Sequence, residues 1–192
     1  MDPMPVDPRL CWYLAYGSNL QQERFACYLA GGRPFDASRT YLGARDTTLP
    51  RRWEPLRVPG RMVFAGQSLV WGGGVAVLDP RGPGEVAGRA YLVTREQLDD
   101  VVAQEAGGGS GLYDAVVDLP DLDGLPVHAV GTRLAPVPRP PAPAYLRRVV
   151  HGLFETFAWS AERSADYLLD TAGVAPTWSR ADVIDLHPDR RT

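Results

Sequence analysis

Apolar positions along the chain fall into short runs separated by glycine and proline, and their periodicity changes from one run to the next. Cys11-Trp-Tyr-Leu-Ala-Tyr16 is continuously apolar and aromatic, which predicts a buried strand. Gly17 breaks it. Ser18-Asn-Leu-Gln21 has capping-box spacing, predicting a helix over about 19–30 closed by Gly31 and Gly32. Strand-like runs follow at about 39–44, 61–65, 74–78 and 86–93, while the Arg- and Pro-rich stretch 45–60 reads as a long loop. Thr94-Arg-Glu-Gln97 is a second capping box, opening a helix to about Ala106 that the glycines from Gly107 close. Two further strands, about 113–119 and 127–134, enclose an acidic turn at 121–124. A proline-rich spacer, 136–143, leads to helices at about 144–159 and 161–171. Strands outnumber helices without alternating with them, so the expected class is α+β with a strongly curved or closed mixed sheet.

Length and composition narrow the class. With 192 residues, 45% hydrophobic and 22% charged, the chain suits one soluble globular domain. The expected organisation is a disordered lead at 1–10, a domain at 11–173 and an irregular tail at 174–192. A net charge of −3 argues against general nucleic-acid binding, and the arginine pairs along the chain read as solvated surface. No run approaches a membrane span and no signal-peptide pattern opens the chain, so a cytoplasmic location is the expectation. Neither Cys11 nor Cys27 belongs to a CxxC pair. His128, His151 and His187 lack metal-ligand spacing, and no P-loop, GxSxG elbow or dinucleotide fingerprint is present. Neither a metal nor an organic cofactor is expected.

Two places carry candidate chemistry. At Gly17-Ser18-Asn19 a strand turns into a helix start, whose free N–H groups suit a carboxylate or a developing oxyanion; the plain alternative is that Ser18 only caps the helix. The second place is Glu105. Leu98, Val101, Val102 and Glu105 fall on one face of the helix, so a carboxylate sits on the stripe that should face the core. Either it works there as an acid or base, or it ends a frayed helix. Trp71-Gly-Gly-Gly74 reads as a tight bend or as a close approach to a ligand.

Tyr13-Leu-Ala-Tyr16-Gly17-Ser18-Asn19-Leu20 resembles the signature of the γ-glutamylcyclotransferase superfamily, which includes the AIG2-like proteins. Further resemblances to it are Gly88-Arg-Ala-Tyr91, the helix bearing Leu98, Asp99 and Glu105, Gly111-Leu-Tyr113, and Trp71-Gly-Gly-Gly-Val-Ala. The blocks agree in order over roughly residues 11–155, although Ala106 stands where the family often has glycine.

The resemblance implies a small mixed β-barrel flanked by helices, with no cofactor. It also implies an enzyme that cyclises a γ-glutamyl amide to 5-oxoproline and frees the amine. Glu105 would be the general acid/base, and Tyr16, Gly17, Ser18, Asn19, Leu20 and Tyr113 would bind the small-molecule substrate. Two other readings stand beside it. One is a non-catalytic binding member of the same fold. The other is an acyl hydrolase using Ser18 or Cys27, which would need a base beside the nucleophile.

Overall fold

A computed structural model describes residues 7–35, 37–107 and 111–190. Residues 1–6 of the expected lead, residues 108–110 of the glycine-rich break and residues 191–192 of the expected tail lie outside the described residues.

The strands are β1 (Leu10–Ala15), β2 (Trp53–Pro59), β3 (Arg61–Ala65), β4 (Val75–Asp79), β5 (Glu85–Thr94), β6 (Ala115–Leu122) and β7 (Leu125–Gly131). The helices are α1 (Gln22–Ala30), α2 (Arg95–Ala106), α3 (Pro143–Phe157), α4 (Ala161–Leu169) and α5 (Arg180–Ile184). Five strands form one sheet in the order β2-β5-β1-β7-β6, and β3 and β4 form a separate antiparallel pair. The sheet is mixed, because β1 runs parallel to β7 and antiparallel to β5.

The central strand explains its own composition. Trp12 and Leu14 point into a large core shared with β3, β4, α3 and α4. Cys11, Tyr13 and Ala15 point the other way, into a second core under α1 and α2. A strand covered on both faces has no solvent side, so its sequence shows no alternation.

The β3–β4 pair meets the sheet where β7 ends. Thr132 N–H donates to the Leu78 carbonyl at 3.1 Å. The Tyr16 hydroxyl donates to the Val130 carbonyl at 2.5 Å and accepts from Leu78 N–H at 3.0 Å. The result is a curled half-barrel with flanking helices, the α+β architecture that the pattern and the resemblance imply.

Four local expectations need correction. The stretch 45–60 is not all loop, since β2 pairs with β5 from Trp53 to Pro59. Its prolines are tolerated because β2 is an edge strand, where a missing N–H breaks no inner ladder. The run 39–44 forms no strand. A single bridge ties Tyr41 to Gly32, while the Tyr41 ring turns into the second core. The Ser18–Gln21 capping box does not form. Ser18–Leu20 is a 3-10 turn, Gln21 is the N-cap of α1 without a side-chain bond, and its Oε1 instead accepts from Arg148 Nη1 at 2.8 Å. Finally, the segment read as an irregular tail contains α5, opened by a Ser179–Asp182 capping box. Val174, Val183 and Leu186 from that segment join the large core. The Thr94–Gln97 box forms with both of its bonds, at 3.1 and 3.0 Å.

Candidate active site

A cavity lined by polar and aromatic side chains opens where β1 ends. Gly17 turns the chain there. A Cβ at Gly17 would lie 2.8 Å from the Tyr145 hydroxyl and 3.2 Å from the Ala76 Cβ, so a larger residue fits only if that hydroxyl shifts. The 3-10 turn Ser18–Leu20 is buried and held from behind. The Tyr91 hydroxyl donates to the Asn19 carbonyl at 3.0 Å, and Arg89, 1% exposed, reaches Tyr91 at 3.5 Å and Thr156 at 3.0 Å.

Glu105 enters from the last turn of α2. Leu98 and Val101 on the same stripe are buried in the second core, so the stripe delivers the carboxylate inward. Glu105 as a residue is half-buried because the helix end meets solvent, but its carboxylate is enclosed. Asn19 Nδ2 donates to Glu105 Oε1 at 2.7 Å. Burial pushes the Glu105 pKa above the ordinary carboxylate value. The Arg24 charge and hydrogen bonds from Tyr28, Tyr13 and Asn19 pull the other way without cancelling it.

Aromatic and basic groups complete the walls. Arg24 and Tyr28, four residues apart on α1, share one face and both line the cavity. Arg24 Nη2 donates to the Tyr41 hydroxyl at 2.5 Å. The Tyr145 hydroxyl accepts from Ala76 N–H at 3.0 Å, and its own proton has no acceptor among the described residues. Burial pushes the Tyr145 pKa up to about 12, so that proton stays in place at neutral pH.

Of the residues singled out from sequence, Tyr16, Gly17, Ser18, Asn19, Glu105 and Tyr113 line this cavity. Two of them do so with occupied hydroxyls: Tyr16 links β4 to β7, and Tyr113 donates to the Ala76 carbonyl at 2.8 Å. Leu20 does not line it. Its side chain is fully buried in the large core and packs against Gly152 of α3, because the 3-10 turn rotates it away from Asn19.

Sequence reasoning passed over Tyr13, Arg24, Tyr28, Tyr41 and Tyr145. Arg24 carried a signal, being a charge beside Phe25 and on the face of Tyr28. The others look like ordinary core aromatics until the fold points them at one cavity. Of the glycines after Trp71, Gly72 is set by its positive φ of 71°, and Gly73 and Gly74 by backbone packing. A Cβ at Gly74 would sit 2.2 Å from the Arg139 carbonyl oxygen, and Gly73 bridges to Pro141.

The nucleophile reading finds no histidine in the cavity lining. His128, His151 and His187 are not among the cavity's lining residues, and Cys27 faces the Glu23 carbonyl at 3.5 Å with its thiol pKa raised by burial. Among the described residues no group of three or more His, Cys, Asp or Glu side chains is placed to hold a metal ion. Among them, no helix is long and apolar enough to cross a membrane.

Comparison with known proteins places the fold. The chain superposes on a gamma-glutamyl cyclotransferase with a TM-score of 0.57 and 18% identity, over 92% of this chain and 98% of that one. An uncharacterized Homo sapiens protein, loc79017, gives a TM-score of 0.57 at 20% identity, over 92% of this chain and 99% of that one. YkqA from Bacillus subtilis gives 0.52 at 16%, over 84% of this chain and 54% of that one. In sequence, the chain is 29% identical over 199 residues to histone deacetylase 5 of Arabidopsis thaliana, covering 82% of this chain. The chain spans only 30% of the length of that curated relative. No family model matches.

Proposed function

We propose that this chain, which has the gamma-glutamyl cyclotransferase-like fold, cyclises a γ-glutamyl amide to 5-oxoproline and releases the free amine, with Glu105 as general acid/base. The observation that carries this reading is the enclosed Glu105 carboxylate. Its direct hydrogen-bond partners, Asn19, Tyr13 and Tyr28, are neutral, and its pKa is raised. A carboxylate tuned upward exchanges protons more readily near neutral pH than an exposed one.

In the proposed reaction the substrate's α-amine nitrogen attacks its own γ-carbonyl carbon. The C–N bond to the leaving amine then breaks and a five-membered lactam closes. Glu105 takes the proton from the attacking nitrogen and returns it to the departing one, so the enzyme ends each turnover unchanged. Because both reacting groups belong to one molecule, holding it in the closing conformation supplies a large part of the acceleration. Negative charge grows on the carbonyl oxygen. The Tyr145 hydroxyl, which accepts from Ala76 N–H and lines the cavity, would donate to that oxygen.

The test is to incubate the purified protein with γ-glutamyl-alanine, γ-glutamyl-ε-lysine, glutathione and a γ-glutamylated aminoglycoside, following 5-oxoproline by mass spectrometry. Product is expected from at least one of them. Glu105→Gln should lower kcat by about a hundredfold to ten-thousandfold with its fold intact, the range for losing a positioned acid/base. Undiminished turnover in that variant would remove Glu105 from the mechanism. Saturable ligand binding without product from any γ-glutamyl amide would instead support a binding member of the fold.

A further inference from the structure

Two polar groups in the cavity have no role in the proton transfer. Arg24 is 3% exposed, and its guanidinium lies against the rings of Tyr28 and Tyr41, 4.9 and 4.4 Å from their centroids. Nη2 is used, donating to the Tyr41 hydroxyl at 2.5 Å and to the Tyr28 hydroxyl at 3.4 Å. Nε and Nη1 are enclosed and have no hydrogen-bond partner. Asn19, 4% exposed, is the second case. Its Nδ2 donates to Glu105, which fixes the amide orientation, and its Oδ1 is enclosed with no donor.

Buried polar groups are ordinarily paired, and an unpaired one weakens the fold. Three such atoms belong to two residues that line one cavity, Arg24 and Asn19, and are held in place by the flanking rings and by a 2.7 Å hydrogen bond. Their chemistry is specific. Arg24 offers cationic donors that suit a carboxylate, while Asn19 Oδ1 and Glu105 offer two acceptors close together that suit an amine bearing two hydrogens. A carboxylate and an amine attached to one carbon form the head of an α-amino acid.

We infer that Arg24 and Asn19 together recognise the α-amino-acid head of the substrate, Arg24 holding its α-carboxylate and Asn19 Oδ1 accepting from its α-amine. The inference rests on the cyclisation reading and deepens it. With the amine held by Asn19 and Glu105, its lone pair is directed away from both acceptors. The carboxylate anchor fixes the rotation that decides whether that lone pair meets the γ-carbonyl. Amides whose α-carboxyl is esterified or missing are therefore excluded as substrates, whatever the leaving amine.

The competing explanation is that Arg24 serves only as a counter-charge that restrains the Glu105 pKa, an effect it has in any case. Two lactams separate the two roles, since L-5-oxoproline carries the carboxylate and 2-pyrrolidinone lacks it. Calorimetric titration of the full chain at millimolar ligand should show 5-oxoproline binding about tenfold to a hundredfold more tightly than 2-pyrrolidinone, the range for one charge-assisted contact. In Arg24→Gln that preference should vanish. Arg24→Lys keeps the cation without the planar donors, should recover part of the preference, and serves if the Gln variant does not fold. Equal binding of the two lactams by the native chain, no binding of either, or a preference that survives Arg24→Gln would each overturn the assignment.

The same experiment separates this inference from the reaction. Carboxylate-selective binding without turnover of any γ-glutamyl amide leaves the subsite standing and removes the cyclisation. Turnover with an unchanged KM in Arg24→Gln does the reverse.

Discussion

Glu105 is one side chain with two measurable consequences. Its pKa is raised in the folded chain, chiefly because burial penalises the ionised carboxylate. A group whose folded pKa exceeds its unfolded value favours the fold most below the unfolded pKa, and that contribution is lost as pH rises through the folded pKa. The native chain should therefore lose stability relative to Glu105→Gln between the ordinary carboxylate pKa and the raised one. Paired denaturation curves at several pH values would show the difference, and parallel curves would contradict it. Activity should move the opposite way, because the base must be ionised to accept a proton, so kcat should rise across the same window. Gly17 is the other residue whose identity is dictated by one contact. Gly17→Ala places a methyl 2.8 Å from the Tyr145 hydroxyl, and 5-oxoproline formation should fall because that hydroxyl must shift.

Helix α2 separates stability from chemistry along its length. Its first turn carries the Thr94–Gln97 capping box, and its last turn carries Glu105. Thr94→Ala should destabilise the fold by about 1 kcal/mol, the usual cost of losing a cap. The apolar stripe, rather than the cap, holds the Glu105 end, so under the proposed reaction kcat at a temperature where the variant is folded should stay within a few-fold of native. A large loss of kcat would show that the whole helix is poised on its first turn. Helix α1 has the opposite arrangement. Arg24 and Tyr28 face the cavity while Phe25 stacks between Tyr13 and Tyr91, at 5.2 and 4.2 Å, so the residues that position this helix interleave with those that line the site.

At the scale of the molecule, one hydroxyl is among the bonds that close the half-barrel. Tyr16 joins β7 to β4 through two backbone groups, Val130 C=O and Leu78 N–H. Tyr16→Phe leaves both buried partners unsatisfied and should destabilise the fold by about 1–3 kcal/mol, read as a lowered melting temperature. The β3–β4 pair also supplies Val75 and Ala76 to the cavity, so opening that seam should raise KM as well. The two cores meet the sheet on opposite faces, and the cavity lies where β1 runs out between them, with α3 contributing Tyr145 from the large-core side and α1 and α2 contributing Arg24, Tyr28 and Glu105 from the other.

Much of what depends on neighbours along the chain was legible in the amino-acid sequence, although the equally local Ser179–Asp182 capping box of α5 was read as irregular tail. The unbroken apolar run of β1, the glycine turn after it, the Thr94 cap and the inward face that carries Glu105 are local patterns, set by backbone sterics, capping and helical period. The 3-10 turn at Ser18–Leu20 was not legible, because its geometry is imposed by Tyr91, Tyr145 and Arg148 arriving from distant elements. Strand β2 was hidden by its prolines, which only an edge position makes tolerable. The recruitment of Arg24, Tyr28, Tyr41 and Tyr145 was hidden for the same kind of reason. Each is an ordinary residue of its own segment, and only the packing of α1 and α3 about the end of β1 turns their polar atoms onto one enclosed space. Local sequence thus determined the parts and placed the carboxylate on an inward face. The tertiary structure decided what faces that carboxylate, because unpaired donors and acceptors acquire chemical meaning only when burial removes the water that would otherwise satisfy them.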